Sequence, residues 1–251
     1  MGEERMARRK LVAGNWKMNG SREALAELDG IRTAAEAHVG VEVAIAVPAT
    51  LIEPAARRAP DLTIGAQDVH SAASGAHTGC ISAAMAKEAG AAFAIVGHSE
   101  RRADQCETDA MVKGKAEAAH ACGLHAIVCV GETIAQRDAG EAMQVVTAQV
   151  ARSLPDGAAA DWCALAYEPR WAIGTGRTPT LDEVAAMHRA IREKLREMIG
   201  AGADAMRILY GGSVTGDNAR DLLHAGDVDG ALVGGASLTA AKFVPIIAAA
   251  V

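Results

Sequence analysis

The sequence predicts an α/β fold, a single (β/α)8 barrel with a closed eight-stranded parallel sheet, and three observations carry that prediction. Eight short apolar runs recur along 251 residues, Ala-, Glu- and Arg-rich segments of helical composition separate them, and no linker-like or low-complexity stretch interrupts the series. Strands that are apolar nearly throughout belong to a parallel sheet covered on its outer side. Eight such units in a chain of this length fit a closed barrel better than an open doubly wound sheet.

In order, the runs fall at residues 10–16 (K-L-V-A-G-N-W), 41–48 (V-E-V-A-I-A-V-P), 62–68 (L-T-I-G-A-Q-D), 93–99 (F-A-I-V-G-H-S), 125–132 (H-A-I-V-C-V-G-E), 162–168 (W-C-A-L-A-Y-E), 206–212 (M-R-I-L-Y-G-G) and 230–235 (G-A-L-V-G-G). The clearest intervening helix is 181–199, where Leu181, Val184, Met187, His188, Ile191 and Leu195 approximate one face. After the sixth run Pro169 can neither donate to a sheet ladder nor continue the strand, and residues 171–176 have the composition of a lid. Residues 10–251 are therefore read as one barrel catalytic domain, and residues 1–9 as a poorly ordered N-terminal extension.

Composition narrows the function classes. A net charge of -6, spread without blocks, argues against nucleic acid and an anionic membrane as partners. No uninterrupted apolar stretch of about 18 residues occurs, and the start M-G-E-E-R-M-A-R-R-K lacks the apolar centre of a secretory signal, so a cytoplasmic location is expected. The five cysteines, Cys80, Cys106, Cys122, Cys129 and Cys163, are odd in number and form no C-x-x-C, the pattern of reduced structural thiols. H-E-x-x-H, paired cysteines, G-x-G-x-x-G and the P-loop are all missing, so neither a metal nor a cofactor is expected.

Polar residues collect at one end of the runs. Asn15, Lys17, Gln67, His98, Glu132, Glu168 and Ser213 stand at or just beyond a run's carboxyl end, and a barrel brings those ends to one mouth. Glu168 is the candidate general base. His98 precedes Ser-Glu-Arg-Arg, a helix start whose N–H groups disfavour a second positive charge on the ring. A neutral imidazole that donates a hydrogen bond to a substrate oxygen is expected there. Lys17 offers an ammonium for a phosphorylated substrate and for charge developing on its carbonyl oxygen, with Asn15 as orienting partner. Gly211-Gly212-Ser213 and Gly234-Gly235-Ala236-Ser237 bring backbone N–H groups against an anion, a phosphate cradle on adjacent strands. A lone glycine pair reads first as a tight turn needing positive φ; two pairs on neighbouring strands favour the cradle. Carboxylate, neutral electrophile, cation and cradle together suit proton transfer between adjacent carbons beside a carbonyl, through an enediolate.

Six segments in this order, G-N-W-K-M-N (14–19), I-V-G-H-S-E-R-R (95–102), A-Y-E-P (166–169), W-A-I-G-T-G (171–176), Y-G-G-S-V (210–214) and L-V-G-G-A-S-L (232–238), resemble the triosephosphate isomerase family. The resemblance runs from about Lys10 to the C-terminus. It implies a barrel that interconverts dihydroxyacetone phosphate and D-glyceraldehyde 3-phosphate, in glycolysis and gluconeogenesis. By motif position it implies Glu168 as general base, His98 as electrophile, and Lys17 with Asn15 in substrate binding. It further implies phosphate contacts from Gly174, Ser213, Gly234 and Gly235, with Ser99 and Glu100 in support. A homodimer is also implied, in which the loop from Gln67 to Gly79 enters the partner and presents Thr78, with Arg101 at the same interface. At about a dozen residues that loop is longer than most βα loops.

Two positions depart from the family pattern. Cys80 stands where an acidic residue usually follows Thr-Gly and pairs with the arginine matching Arg101 across the dimer. Arg170 stands where an aliphatic residue usually lies between Pro and Trp; close to Glu168 it would weaken the base, whereas pointing to solvent it would not. Two rival readings share much of this pattern. An isomerase of another small sugar phosphate, such as a tetrulose phosphate, would use every residue named. A non-catalytic phosphate-binding barrel predicts a missing base, electrophile or lysine, and all three are present.

Overall fold

The computed structural model describes residues 8–172 and 179–251, and within them each of the eight runs is a strand. The strands are β1 (Lys10–Asn15), β2 (Val41–Val47), β3 (Thr63–Ala66), β4 (Phe93–Val96), β5 (His125–Val130), β6 (Cys163–Tyr167), β7 (Ile208–Tyr210) and β8 (Gly230–Val233). Helices α1 (Glu27–Ala37), α2 (Ile52–Arg58), α3 (Ala83–Glu88), α4 (Ser99–Asp104), α5 (Asp109–Ala121), α6 (Ile134–Asp138), α7 (Ala142–Ser153), α8 (Leu181–Ile199), α9 (Ala219–Leu223) and α10 (Ala240–Ala249) alternate with them. Every strand pairs in parallel with the next, and β1 pairs with β8, which closes the barrel. Each strand stops short of its apolar run, because the trailing residues leave the ladder to build the mouth; His98, for one, caps α4.

Alternation along the strands divides the core in two. Ala13, Ala46, Ile95, Leu209 and Leu232 point into the barrel, whereas Val12, Val43, Val128 and Leu165 belong to the outer layer under the helices. The interior has little room: Phe93 fills the space at Gly65, whose missing Cβ would lie 2.3 Å from the ring.

α8 starts at a capping box, with Thr180 and Glu183 satisfying each other's backbone N–H groups. Val184, Met187, His188, Ile191 and Leu195 are buried as the sequence pattern requires. Leu181 is not: the first helical residue is 43% exposed. The face also includes Arg192, fully buried four residues beyond His188 on the same stripe. Hydrophobic periodicity passes over this residue because its partners, Asp227 and Asp229, are distant in sequence.

Of the N-terminal extension, residues 1–7 lie outside the described residues. Arg8 is ion-paired to Asp229 at 2.5 Å and Asp227 at 3.0 Å, and Arg9 donates to the Val41 carbonyl at 3.1 Å, so the barrel holds the chain from Arg8 onward. Among the described residues no helix is long and apolar enough to cross a membrane.

Candidate active site

At the carboxyl ends of the strands lies a cavity of about 660 Å³ whose walls include Asn15, Lys17, His98, Glu168, Ser213, Gly234 and Gly235. The barrel thus gathers residues from five strand ends. Gly174 lies outside the described residues, as do residues 173–176 of the lid segment. Thr78 and Arg101 are not part of the cavity; Thr78 is exposed, and Arg101 pairs within the chain to Asp68 at 2.9 Å and Glu107 at 2.6 Å.

Glu168 follows β6 directly, and its N–H still donates to the Val130 carbonyl at 2.8 Å, so its backbone remains in register with β5. Two glycines make room for it. A Cβ at Gly131 would lie 1.9 Å from the Glu168 carbonyl oxygen, and one at Gly211 would lie 2.8 Å from its Cγ. The carboxylate is 2% exposed. Its Oε1 is 2.9 Å from His98 Nε2, and its Oε2 accepts the Ser99 N–H at 2.8 Å. Burial pushes the pKa up, but His98, the Ser99 N–H and Lys17 outweigh burial and leave it below the usual carboxylate range. Arg170 is not among these strongest influences.

His98 is the N-cap of α4, and its Nδ1 accepts the Glu100 N–H at 3.3 Å. An accepting Nδ1 carries a lone pair, so a singly protonated ring has its proton on Nε2, directed at Glu168. The expectation that the helix start would depress this pKa is corrected here. Burial pushes it down, but the carboxylate at Nε2 reverses the sign and raises it above the ordinary histidine value. The two findings concern different conditions: the acceptor bond fixes the tautomer of the neutral ring, and the raised pKa holds while Glu168 is its partner.

Lys17 has φ of 54°, a left-handed backbone that a lysine rarely adopts. Asn15 Oδ1 accepts its N–H at 3.0 Å and Gln67 Nε2 donates to its carbonyl at 2.9 Å, holding both sides of the strained residue. The ammonium reaches Glu100 at 2.6 Å. Asn15 and Gln67 thus restrain the Lys17 backbone from both sides.

Neither Gly212 nor Gly234 has a positive φ, and Gly212 is glycine for space. A Cβ at Gly212 would meet the Tyr210 hydroxyl at 2.2 Å, and one at Gly234 would stand 3.3 Å from Lys17 Cε. Behind Glu168, buried Glu132 accepts bonds from the Tyr167 hydroxyl at 3.1 Å and Trp171 Nε1 at 2.8 Å, while Arg137 stacks 4.6 Å over the Trp171 ring. This network pins the chain three residues beyond the carboxylate. Sequence reasoning noted Glu132 at a strand end but not its partners. It also missed Thr215, Gly216, Ala241, Lys242 and Pro245, which extend the cavity.

Fold and cavity define a class: a (β/α)8 barrel enzyme with its polar groups gathered at the carboxyl ends of the strands. Comparison narrows that class. The sequence profile of triosephosphate isomerase matches residues 10–250. The triosephosphate isomerase of Ruegeria sp. (strain TM1040) is 56% identical over 241 residues, covering 96% of this chain and 98% of that one. The Xanthobacter flavus enzyme is 57% identical over 241 residues, covering 95% and 96%. The crystal structure of triosephosphate isomerase from Bartonella henselae superposes with a TM-score of 0.90 at 43% identity, covering 96% and 98% of the two chains. The chain belongs to the triosephosphate isomerase family.

Proposed function

We propose that this chain interconverts dihydroxyacetone phosphate and D-glyceraldehyde 3-phosphate by cofactor-free proton transfer through an enediolate. One observation carries the reading: a single cavity holds Glu168 and His98 2.9 Å apart, with Lys17 and both glycine loops in its walls. The substrate phosphate binds at Ser213, Gly234 and Gly235. Glu168 exchanges its bonds to His98 and Ser99 for the substrate and takes a proton from C1 of the ketose. The C–H electron pair becomes the C1–C2 double bond, and the carbonyl π pair moves onto O2. Lys17 and the His98 Nε2–H stabilise that oxygen. His98 gives its proton to O2 and recovers one from O1. Glu168 returns its own proton to C2, which leaves an aldehyde at C1.

A coupled assay near neutral pH with EDTA present tests the reading. Fast, chelator-insensitive conversion of the triose phosphate is expected; activity confined to a tetrulose phosphate run in parallel would reassign the substrate. The chain acts in the cytoplasm as a homodimer, with the Gln67–Gly79 loop and its Thr78 entering the partner near Arg101. Light scattering on the eluted protein tests the assembly. With Cys80 replacing the usual acid, that dimer relies on packing, and a Cys80→Glu variant with an unchanged dissociation constant would remove Cys80 from the argument.

A further inference from the structure

We propose that the cavity continues beyond its phosphate cradle into a second anion subsite at Lys242, so that it takes small molecules carrying two phosphoryl groups as competitors of the triose phosphate. The proposal rests on reading Ser213, Gly234 and Gly235 as the cradle for the first.

Besides the cradle, the cavity is lined by Thr215 and Gly216, after β7, and by Ala241, Lys242 and Pro245 of α10. A triose phosphate has about ten non-hydrogen atoms, and at roughly 30 Å³ for each water-sized group it occupies on the order of 300 Å³. The cavity measures about 660 Å³ and so holds a longer ligand.

The extension has the charge to suit an anion. Among the described lining residues the one carboxylate is Glu168, in the catalytic cluster, and none lies in the extension. The lining contains two lysines. Lys17 is paired with Glu100, whereas Lys242 has no carboxylate within ion-pair distance among the described residues. Helix stability does not explain its position. Lys242 stands in the first turn of α10, where the helix dipole disfavours a cation, and no acidic residue accompanies it in that turn.

The walls are also built. A Cβ at Gly216 would stand 3.0 Å from Pro245 Cβ, so loop and helix are in close contact. The Thr215 N–H is held by Asn218 at 2.8 Å, and the start of α10 is tied to α1 by the Ala240 N–H on Glu27 at 2.7 Å. The exposed Lys242 ammonium, without a carboxylate partner among the described residues and lining the same cavity as the cradle, is placed to bind a second phosphoryl group.

Calorimetric titration of the full chain with inorganic phosphate, pyrophosphate and tripolyphosphate, at fixed ionic strength without divalent cations, tests this. In the wild type the two longer anions bind more tightly than orthophosphate. Lys242→Met should lose roughly fivefold in affinity for at least one of them, the upper range for an exposed ion pair, while its orthophosphate affinity holds. Lys242→Arg should retain the preference. An equal loss for all three anions, or none, would overturn the subsite and leave the cradle standing. Orthophosphate that binds without competing with the triose phosphate would overturn cradle and subsite together.

Discussion

At the carboxyl ends of the strands Glu168 is 2% exposed and held by His98 and a backbone N–H; toward the amino ends Arg192 is fully buried and held by a different kind of set. Arg192 bonds Asp229 at 2.6 Å, the Met206 carbonyl at 2.5 Å and the Ala203 carbonyl. Asp229 in turn takes Arg8 at 2.5 Å and the Ile208 N–H at 2.9 Å. Arg192 is set within α8, and Arg8, Met206 and Asp229 stand just before β1, β7 and β8. Glu168 by contrast shares its oxygens with an imidazole that a substrate oxygen can claim. A buried charge therefore braces the barrel at one end and is available for proton transfer at the other.

Their histidines divide in the same way. His98 is raised by the carboxylate on its Nε2 despite burial. His188 is pushed down to about 4, first by burial, and among the described residues no carboxylate side chain bonds its ring: Nδ1 meets the Asp227 carbonyl at 3.2 Å, and the rings of Tyr167 and Tyr210 lie 6.0 and 6.4 Å away. Two buried imidazoles in one barrel thus shift in opposite directions.

The largest expected effect is on catalysis. Glu168→Gln should lose roughly 10²- to 10⁴-fold in turnover, the span of a positioned general base, while the thermal midpoint stays close to wild type. The same variant removes the charge that raises His98, so NMR titration should show that imidazole protonating at lower pH than in the wild type. Unchanged turnover would remove Glu168 from the chemistry. Arg192→Met should reverse the pattern. Removing one partner of a buried pair leaves Asp229 undercompensated and costs on the order of 3–5 kcal/mol, read as a lower denaturation midpoint in urea. The specific activity of its folded fraction should stay near wild type; a large loss there would erase the distinction between the two ends.

The site was more legible in the sequence than the brace. Glu168, His98, Lys17 and the glycine pairs fall at the ends of apolar runs, and a barrel needs nothing further to bring them together. Arg192, Asp227 and Asp229 leave no such mark, because their burial depends on pairing between residues 35 or more positions apart. The sign of the His98 shift was likewise hidden: the helix start adjoins it in sequence, but the carboxylate that overrides it comes from 70 residues later. Glycines were legible as glycines and not as reasons, since only the structure shows that Gly211 and Gly212 yield space to Glu168 and Tyr210.

A smaller effect follows from His188. Its folded pKa of about 4 lies below the unfolded value of 6.5, so between these values the unfolded chain binds a proton that the native chain refuses. Stability from this residue is complete above pH 6.5 and falls as the pH drops toward 4, by up to about 3 kcal/mol. Urea midpoints at both pH values should differ less in His188→Gln than in wild type. Equal differences would mean that the ring gains its proton in the native state, and the contrast between the histidines would be lost.

The smallest effect tests whether Arg170 belongs to the catalytic end at all. A guanidinium acting on Glu168 would lower its pKa, so removing it would move the acid limb of kcat/KM to higher pH. The carboxyl already lies low because His98, the Ser99 N–H and Lys17 outweigh its burial. Arg170, partly exposed at the start of the turn after Pro169, is not prominent among those influences. Arg170→Val should therefore leave the acid limb where it is. An upward shift would add Arg170 to the groups that set the base, and would make the carboxyl end of this barrel more heavily charged around its carboxylate than the three partners of Glu168 imply.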